Sequence, residues 1–267
     1  MEAFLGAGLF GDVSPWLLAL VFAAGLAAGW VDAVVGGGGL IQLPVVFMLP
    51  GLSPLQAVAT NKVGSVFGTT VSAATYARRV RPDPRQMALL GTGALAGAVL
   101  GAFVASSLPK QLFTPIVIAA LAAVLLVTVL KPSLGQVEAL RHSPRGRTAR
   151  GLVIALGIGF YDGVLGPGTG SFFVMALVGW LGFSFLNASA RAKILNWATN
   201  LGALLLFIPT GAVHWGIGLT LAAGNMIGAR IGARTALARG SGFVRIVMIV
   251  VVSALLVSLT VQYARGG

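Results

Sequence analysis

The chain contains no cysteine, which excludes disulfides, thiolate nucleophiles and thiolate-held metals. Acids are nearly as scarce, with six Asp and Glu in 267 residues beside two histidines. His142 lies in a basic linker and His214 at a helix start, a placement that fits neither a metal cluster nor an intramembrane Ser-His pair. No metal, no cofactor and no enzyme are expected. Charged residues make up only 9% of the chain, too few to cover a soluble globule. Lys and Arg are missing from Met1 to Asp12, so that stretch lacks the basic start of a cleaved signal peptide, and the first apolar run reads as mature structure.

What the sequence has instead is apolar length. At 57% hydrophobic residues and a mean hydropathy of +0.94, with runs of Ala, Leu, Val and Gly long enough for helices, it reads as an all-α polytopic membrane protein rather than a barrel of alternating strands. The net charge of +12 could suggest nucleic acid, but the basic residues gather between apolar runs. The groups are Arg78, Arg79, Arg81 and Arg85; Arg141, Arg145, Arg147 and Arg150; and Arg234, Arg239 and Arg245. That is the positive-inside pattern of short cytoplasmic loops, so the expected partner is a lipid bilayer and no nucleic acid.

Two glycine-rich turns organise the runs. Gly36-Gly37-Gly38-Gly39 follows Asp32, and Gly166-Pro167-Gly168-Thr169-Gly170 follows Asp162, 130 positions further on. The same shift carries Gly29 onto Gly159, Gly36 onto Gly166 and Gly38 onto Gly168. The segments flanking the turns at 39 to 50, 151 to 166 and 169 to 184 are short for a hydrocarbon core of about 30 Å. With the basic loops in the cytoplasm, the chain closes only if 16 to 50 is a hairpin entering from outside and 151 to 184 one entering from the cytoplasm. The expected fold is therefore two inverted-topology repeats, each a broken-helix, re-entrant hairpin plus three transmembrane helices. Repeat 1 spans 1–131, with the hairpin at 16–50 and helices at 54–77, 86–106 and 111–131. A cytoplasmic linker covers 132–150. Repeat 2 spans 151–267, with its hairpin at 151–184 and helices at 187–208, 213–234 and 242–263. The N-terminus is expected outside.

Backbone at membrane depth must satisfy its polar groups, so a glycine turn there is either buried in protein or faces a wet cavity. Glycine lets a ligand approach the main chain, and a helix starting after the turn aims N–H groups and the positive end of its dipole at the tip. Gly36, Gly37, Gly38, Gly39, Gly168, Thr169 and Gly170 are thus candidate contacts for a small oxyanion, with tight helix packing as the bland alternative. A second repeated pattern follows each hairpin: Lys62, Ser65 and Thr69 against Lys193, Asn196 and Asn200, each trio on one helical face. A lysine inside an apolar span costs several kcal/mol unless paired or hydrated. Either Lys62 and Lys193 form ion pairs with Asp32 and Asp162, or they leave positive potential over a cavity for an anion to neutralise, and the two readings are compatible. A third pattern, Gly93, Gly97 and Gly101 against Gly224, Gly228 and Gly232, is expected to let helices pack closely. Asn225 shares the latter helix as a further candidate for the cavity.

The stretch Ala28-Gly29-Trp30-Val31-Asp32-Ala33-Val34-Val35-Gly36-Gly37-Gly38-Gly39, then Pro44, then Ala59-Thr60-Asn61-Lys62, resembles the opening signature of the TauE/SafE sulfite exporter family. Gly159-Phe160-Tyr161-Asp162-Gly163, the second turn and Gly224-Asn225-Met226-Ile227-Gly228-Ala229-Arg230 resemble it in the second half. The resemblance implies a bacterial or archaeal inner-membrane permease that exports sulfite or a related small sulfur-containing anion, and it adds Asn61 to the candidate contacts. Pro167 and Thr169 depart from an all-glycine run, so the two tips are not expected to be equal ligands. Alternating access is the expected mechanism, and a passive anion channel with the same lining is the alternative. Assembly as a homo-oligomer is compatible with either.

Overall fold

The computed structural model describes residues 14–105, 113–131 and 133–264. Among them there is no β-strand, and the chain is a bundle of helices. The expectation for the N-terminal residues falls outside the described residues. Helix α1 (Pro15–Val35) starts on a proline, where the missing N–H costs nothing, and stops at Gly36 in the left-handed conformation. Helix α2 (Gly39–Phe47) follows the first glycine turn. Helix α3 (Pro54–Val80) opens on a capping box, with Ser53 Oγ accepting from Gln56 N and Gln56 Oε1 from Ser53 N. Helices α4 (Pro84–Ala105) and α5 (Phe113–Leu130) complete the first half.

In the second half, helix α6 (Pro144–Val164) begins before the expected position. The linker read as a loop to 150 is helical from Pro144, because Ser143 caps it and a proline at the first position favours helix despite the polar run of Arg145 to Arg150. Helix α7 (Thr169–Ala176) runs into a π-turn at Leu177–Leu181 that Gly182 ends. Helix α8 (Phe185–Phe207) is capped by Ser184. Helix α9 (Trp215–Ala264) covers the two last expected spans and is broken at Gly240, whose φ of 74° and ψ of −171° are not helical. Three helices among the described residues are long and apolar enough to cross a membrane: α1, α4 over Pro84–Val104 and α9 over Trp215–Val261.

Packing is crosswise. The glycine stripe of α9 lies on the first hairpin: a Cβ on Gly224, Gly228 or Gly232 would strike the backbone of Phe22, Leu26 or Trp30. The stripe of α4 lies on the second hairpin, where a Cβ on Gly97 or Gly101 would strike Leu156 or Phe160. Small residues thus allow backbone contact between helices, and each half's stripe serves the other half's hairpin. The remaining linker is held to the second hairpin by Ala139 N to Gly182 O and Arg141 N to Leu181 O, both 2.9 Å.

Candidate functional site

The crosswise packing brings the two glycine turns together. Gly36, with φ of 83°, lies so close to Gly170 that a Cβ on either would overlap the other's backbone. Ser171 N donates to Gly36 O at 2.8 Å, and Ser171 Oγ donates to Gly36 O at 2.8 Å and Val35 O at 2.9 Å. Beside this seam lies a cavity of about 30 Å³, walled by both turns and by α3 and α8.

Each lysine is paired, and with the acid of the opposite half. Lys62 Nζ donates to Asp162 Oδ2 at 2.7 Å and to its carbonyl at 3.3 Å. Lys193 Nζ lies 3.2 Å from Asp32 Oδ2 and also donates to the Asp32 carbonyl. The pairs are unequal. Lys62 lines the cavity, with its ammonium against Gly166, while Lys193 is fully buried and does not line it. Asp162 takes a second bond at its other carboxylate oxygen, from Thr169 Oγ1 at 2.7 Å.

The sequence candidates Asp32, Gly36, Gly37, Gly38, Gly39, Asn61, Lys62, Ser65, Asp162, Gly168, Thr169, Gly170, Asn196 and Asn200 all line the cavity. Thr69 does not, since its hydroxyl turns back to the carbonyls of Ser65 and Val66. Asn200 donates to the Asn196 carbonyl at 2.7 Å, and Asn61 Oδ1 is buried with no partner among the described residues.

Both tips leave backbone donors free. Among the described residues no acceptor meets the N–H groups of Gly37, Gly38 and Gly39, which precede α2 or begin it. At the second tip Gly166 N donates to Tyr161 O, Thr169 N to Gly166 O and Ser171 N to Gly36 O, and Pro167 has no N–H, while the N–H groups of Gly168 and Gly170 likewise meet no acceptor among the described residues. Gln42 is a residue that the sequence reading missed. Fully buried on α2, it donates to Ser65 Oγ at 2.9 Å and accepts from Asn225 Nδ2 at 2.9 Å. Its signal was a lone amide in the otherwise apolar run Gly39–Phe47.

A bundle of apolar helices whose two broken hairpins enclose a charged, glycine-walled cavity defines a helical membrane protein with an internal polar site. The chain belongs to the sulfite exporter TauE/SafE family, whose model matches residues 21–259. It is 38% identical over 248 residues to a "Probable membrane transporter protein ORF9" of Sinorhizobium sp, covering 93% of this chain and 94% of that one. It is 37% identical over 262 residues to "Probable membrane transporter protein YfcA" of Escherichia coli (strain K12), covering 95% and 93%. A "Probable membrane transporter protein" of Haemophilus influenzae is 32% identical over 255 residues, covering 96% and 98%. The family is described as a sulfite exporter and each of these relatives as a probable membrane transporter protein, names that indicate a membrane transporter rather than an enzyme. No solved structure matches the chain significantly.

Proposed function

We propose that this protein carries sulfite or a related small sulfur-containing anion out of the cell by alternating access, at the cavity between the two glycine tips. The observation that carries the reading is the make-up of that cavity's wall, which includes Lys62 and also Gly37, Gly38 and Gly39, whose N–H groups meet no acceptor among the described residues. Positive charge and hydrogen-bond donors suit an oxyanion and a helix N-terminus adds its dipole, while the two acids on the same wall, Asp32 and Asp162, are each held to a lysine.

The two halves act as inverted-topology repeats in the inner membrane, with the N-terminus outside and the hairpins entering from opposite faces. The shifts of 130 and 131 positions and the reciprocal Lys–Asp pairs support that arrangement. At about 30 Å³ the cavity has room for about two waters at the roughly 10–15 Å³ that each requires, and so it must widen to admit a polyatomic anion. An arriving anion competes with Asp162 for Lys62. Loosening that pair releases one of the two charged links between the halves, while Lys193 and Asp32 keep their contact. A cavity this small also favours a carrier over an open channel.

The test is counterflow. Proteoliposomes holding the full chain and preloaded with unlabelled sulfite should accumulate external labelled sulfite faster than empty ones. Labelled uptake indifferent to the internal load would mark a channel, and no flux of sulfite, thiosulfate, sulfoacetate or taurine would reject transport of this anion class.

A further inference from the structure

The donor network around Gln42 has a direction. An amide can be drawn either way round, but Gln42 Nε2 also approaches the backbone carbonyl of Asn61 at 3.5 Å, and a carbonyl only accepts. The nitrogen therefore faces α3, and Ser65 Oγ is the acceptor of the 2.9 Å bond. The oxygen end faces α9, where Asn225 Nδ2 holds it at 2.9 Å. Gly68 makes room for this, since a Cβ there would overlap Asn225 Oδ1.

Ser65 is left with its own proton to give. Along α3 the hydroxyls of Thr69, Thr70 and Thr75 each donate to a carbonyl four residues back, at 2.7 Å. Among the described residues the Ser65 hydroxyl has no acceptor, and it lines the cavity. The second half offers no copy: Phe172 and Phe173 stand where the shift would place Gln42, and Ala94 stands opposite Asn225.

We propose that Gln42, clamped by Asn225, is a positioning residue that turns the Ser65 hydroxyl into the cavity as a one-sided hydrogen-bond donor for the transported anion. The proposal rests on the transport reading above. It gives the site a preference for anions that present an acceptor oxygen to α3, and it makes the first half the side that grips.

The experiment is sulfite efflux from proteoliposomes holding wild type, Ser65→Ala, Ser65→Thr, Gln42→Met, Asn225→Ala and Gln42→Met with Ser65→Ala. Ser65→Ala and Gln42→Met should each raise KM about tenfold, with kcat changed less than about twofold. Ser65→Thr should restore KM, and Gln42→Met should add nothing once Ser65 is Ala. Should Gln42→Met fail to fold, Asn225→Ala loosens the same amide from its other end and should likewise be silent on Ser65→Ala. An unchanged KM in Ser65→Ala, or a Gln42 or Asn225 effect that persists in that background, overturns the relay while leaving transport standing. Wild type without efflux overturns the transport reading itself, and the relay with it.

Discussion

Ser171 gives both its backbone N–H and its hydroxyl to the carbonyl of Gly36, so the two glycine turns are joined as well as adjacent. The joint leaves no room for side chains. Gly36→Ala adds a left-handed strain of roughly 1–2 kcal/mol to a backbone overlap with Gly170, and Gly170→Ala meets Gly36 in return. Each should destabilise the protein by more than about 3 kcal/mol. At Gly37 a Cβ would meet only side-chain atoms at ordinary contact distance, the nearest Leu255 Cδ1 at 3.4 Å, so Gly37→Ala should cost less than about 1 kcal/mol. Melting temperatures in detergent compare the three, and equal losses would contradict the seam.

The two lysines should separate stability from transport. Removing one partner of a buried pair leaves an unpaired charge, at about 3–5 kcal/mol, so Lys62→Met and Lys193→Met both lower the melting temperature. Adding Asp162→Asn to Lys62→Met, or Asp32→Asn to Lys193→Met, should recover much of that stability. Sulfite efflux should return only for the Lys193 and Asp32 double variant, because Lys62 lines the cavity and Lys193 does not. Efflux from the Lys62 double variant at the wild-type rate would remove Lys62 from the anion's path.

Gly97 and Gly228 occupy matched places in the two helix seams, against Leu156 and Leu26. Valine at either should push the helices apart and cost a similar amount, more than about 3 kcal/mol. Valine at Gly157, where nothing lies within 4 Å, is the control and should be silent. Thermal unfolding of the three variants, measured side by side, checks both the size and the equivalence.

Gly240 breaks α9 with a backbone that only glycine adopts readily, although a Cβ there would meet nothing within 4 Å. Gly240→Ala should therefore lose about 1–3 kcal/mol through the main chain alone. Gly242→Ala, two residues on, meets only Gln136 Oε1 at 3.5 Å and should be neutral. The difference in unfolding midpoint between these two reports the strain without a steric contribution.

Much of this was legible in advance. Helix positions followed from apolar runs, and the cavity wall from glycines, lysines and small polar residues recurring at one shift, because burial of a charge inside an apolar span is too costly to be incidental. What the residues could not disclose was who meets whom. Lys62 and Asp32 lie in the same half, and nothing local says that each turns instead to Asp162 and Lys193. Gln42 escaped for a related reason: its partners Ser65 and Asn225 are 23 and 183 positions away, and a lone amide shows no periodicity. The early start of α6 was hidden by arginines, which end an apolar pattern without ending a helix.

The crossed ion pairs carry a consequence for synthesis. When the first half has left the ribosome, Lys62 still waits for an acid 100 positions downstream, and Asp32 for a lysine 161 positions downstream. Until those arrive, the early half holds two unmatched charges of opposite sign and a glycine groove without its filler. Such long-range closure slows folding, because chain entropy is lost before the contact forms. Neither half is a finished object alone, and nascent chains arrested before residue 193 should be the ones that quality control destroys.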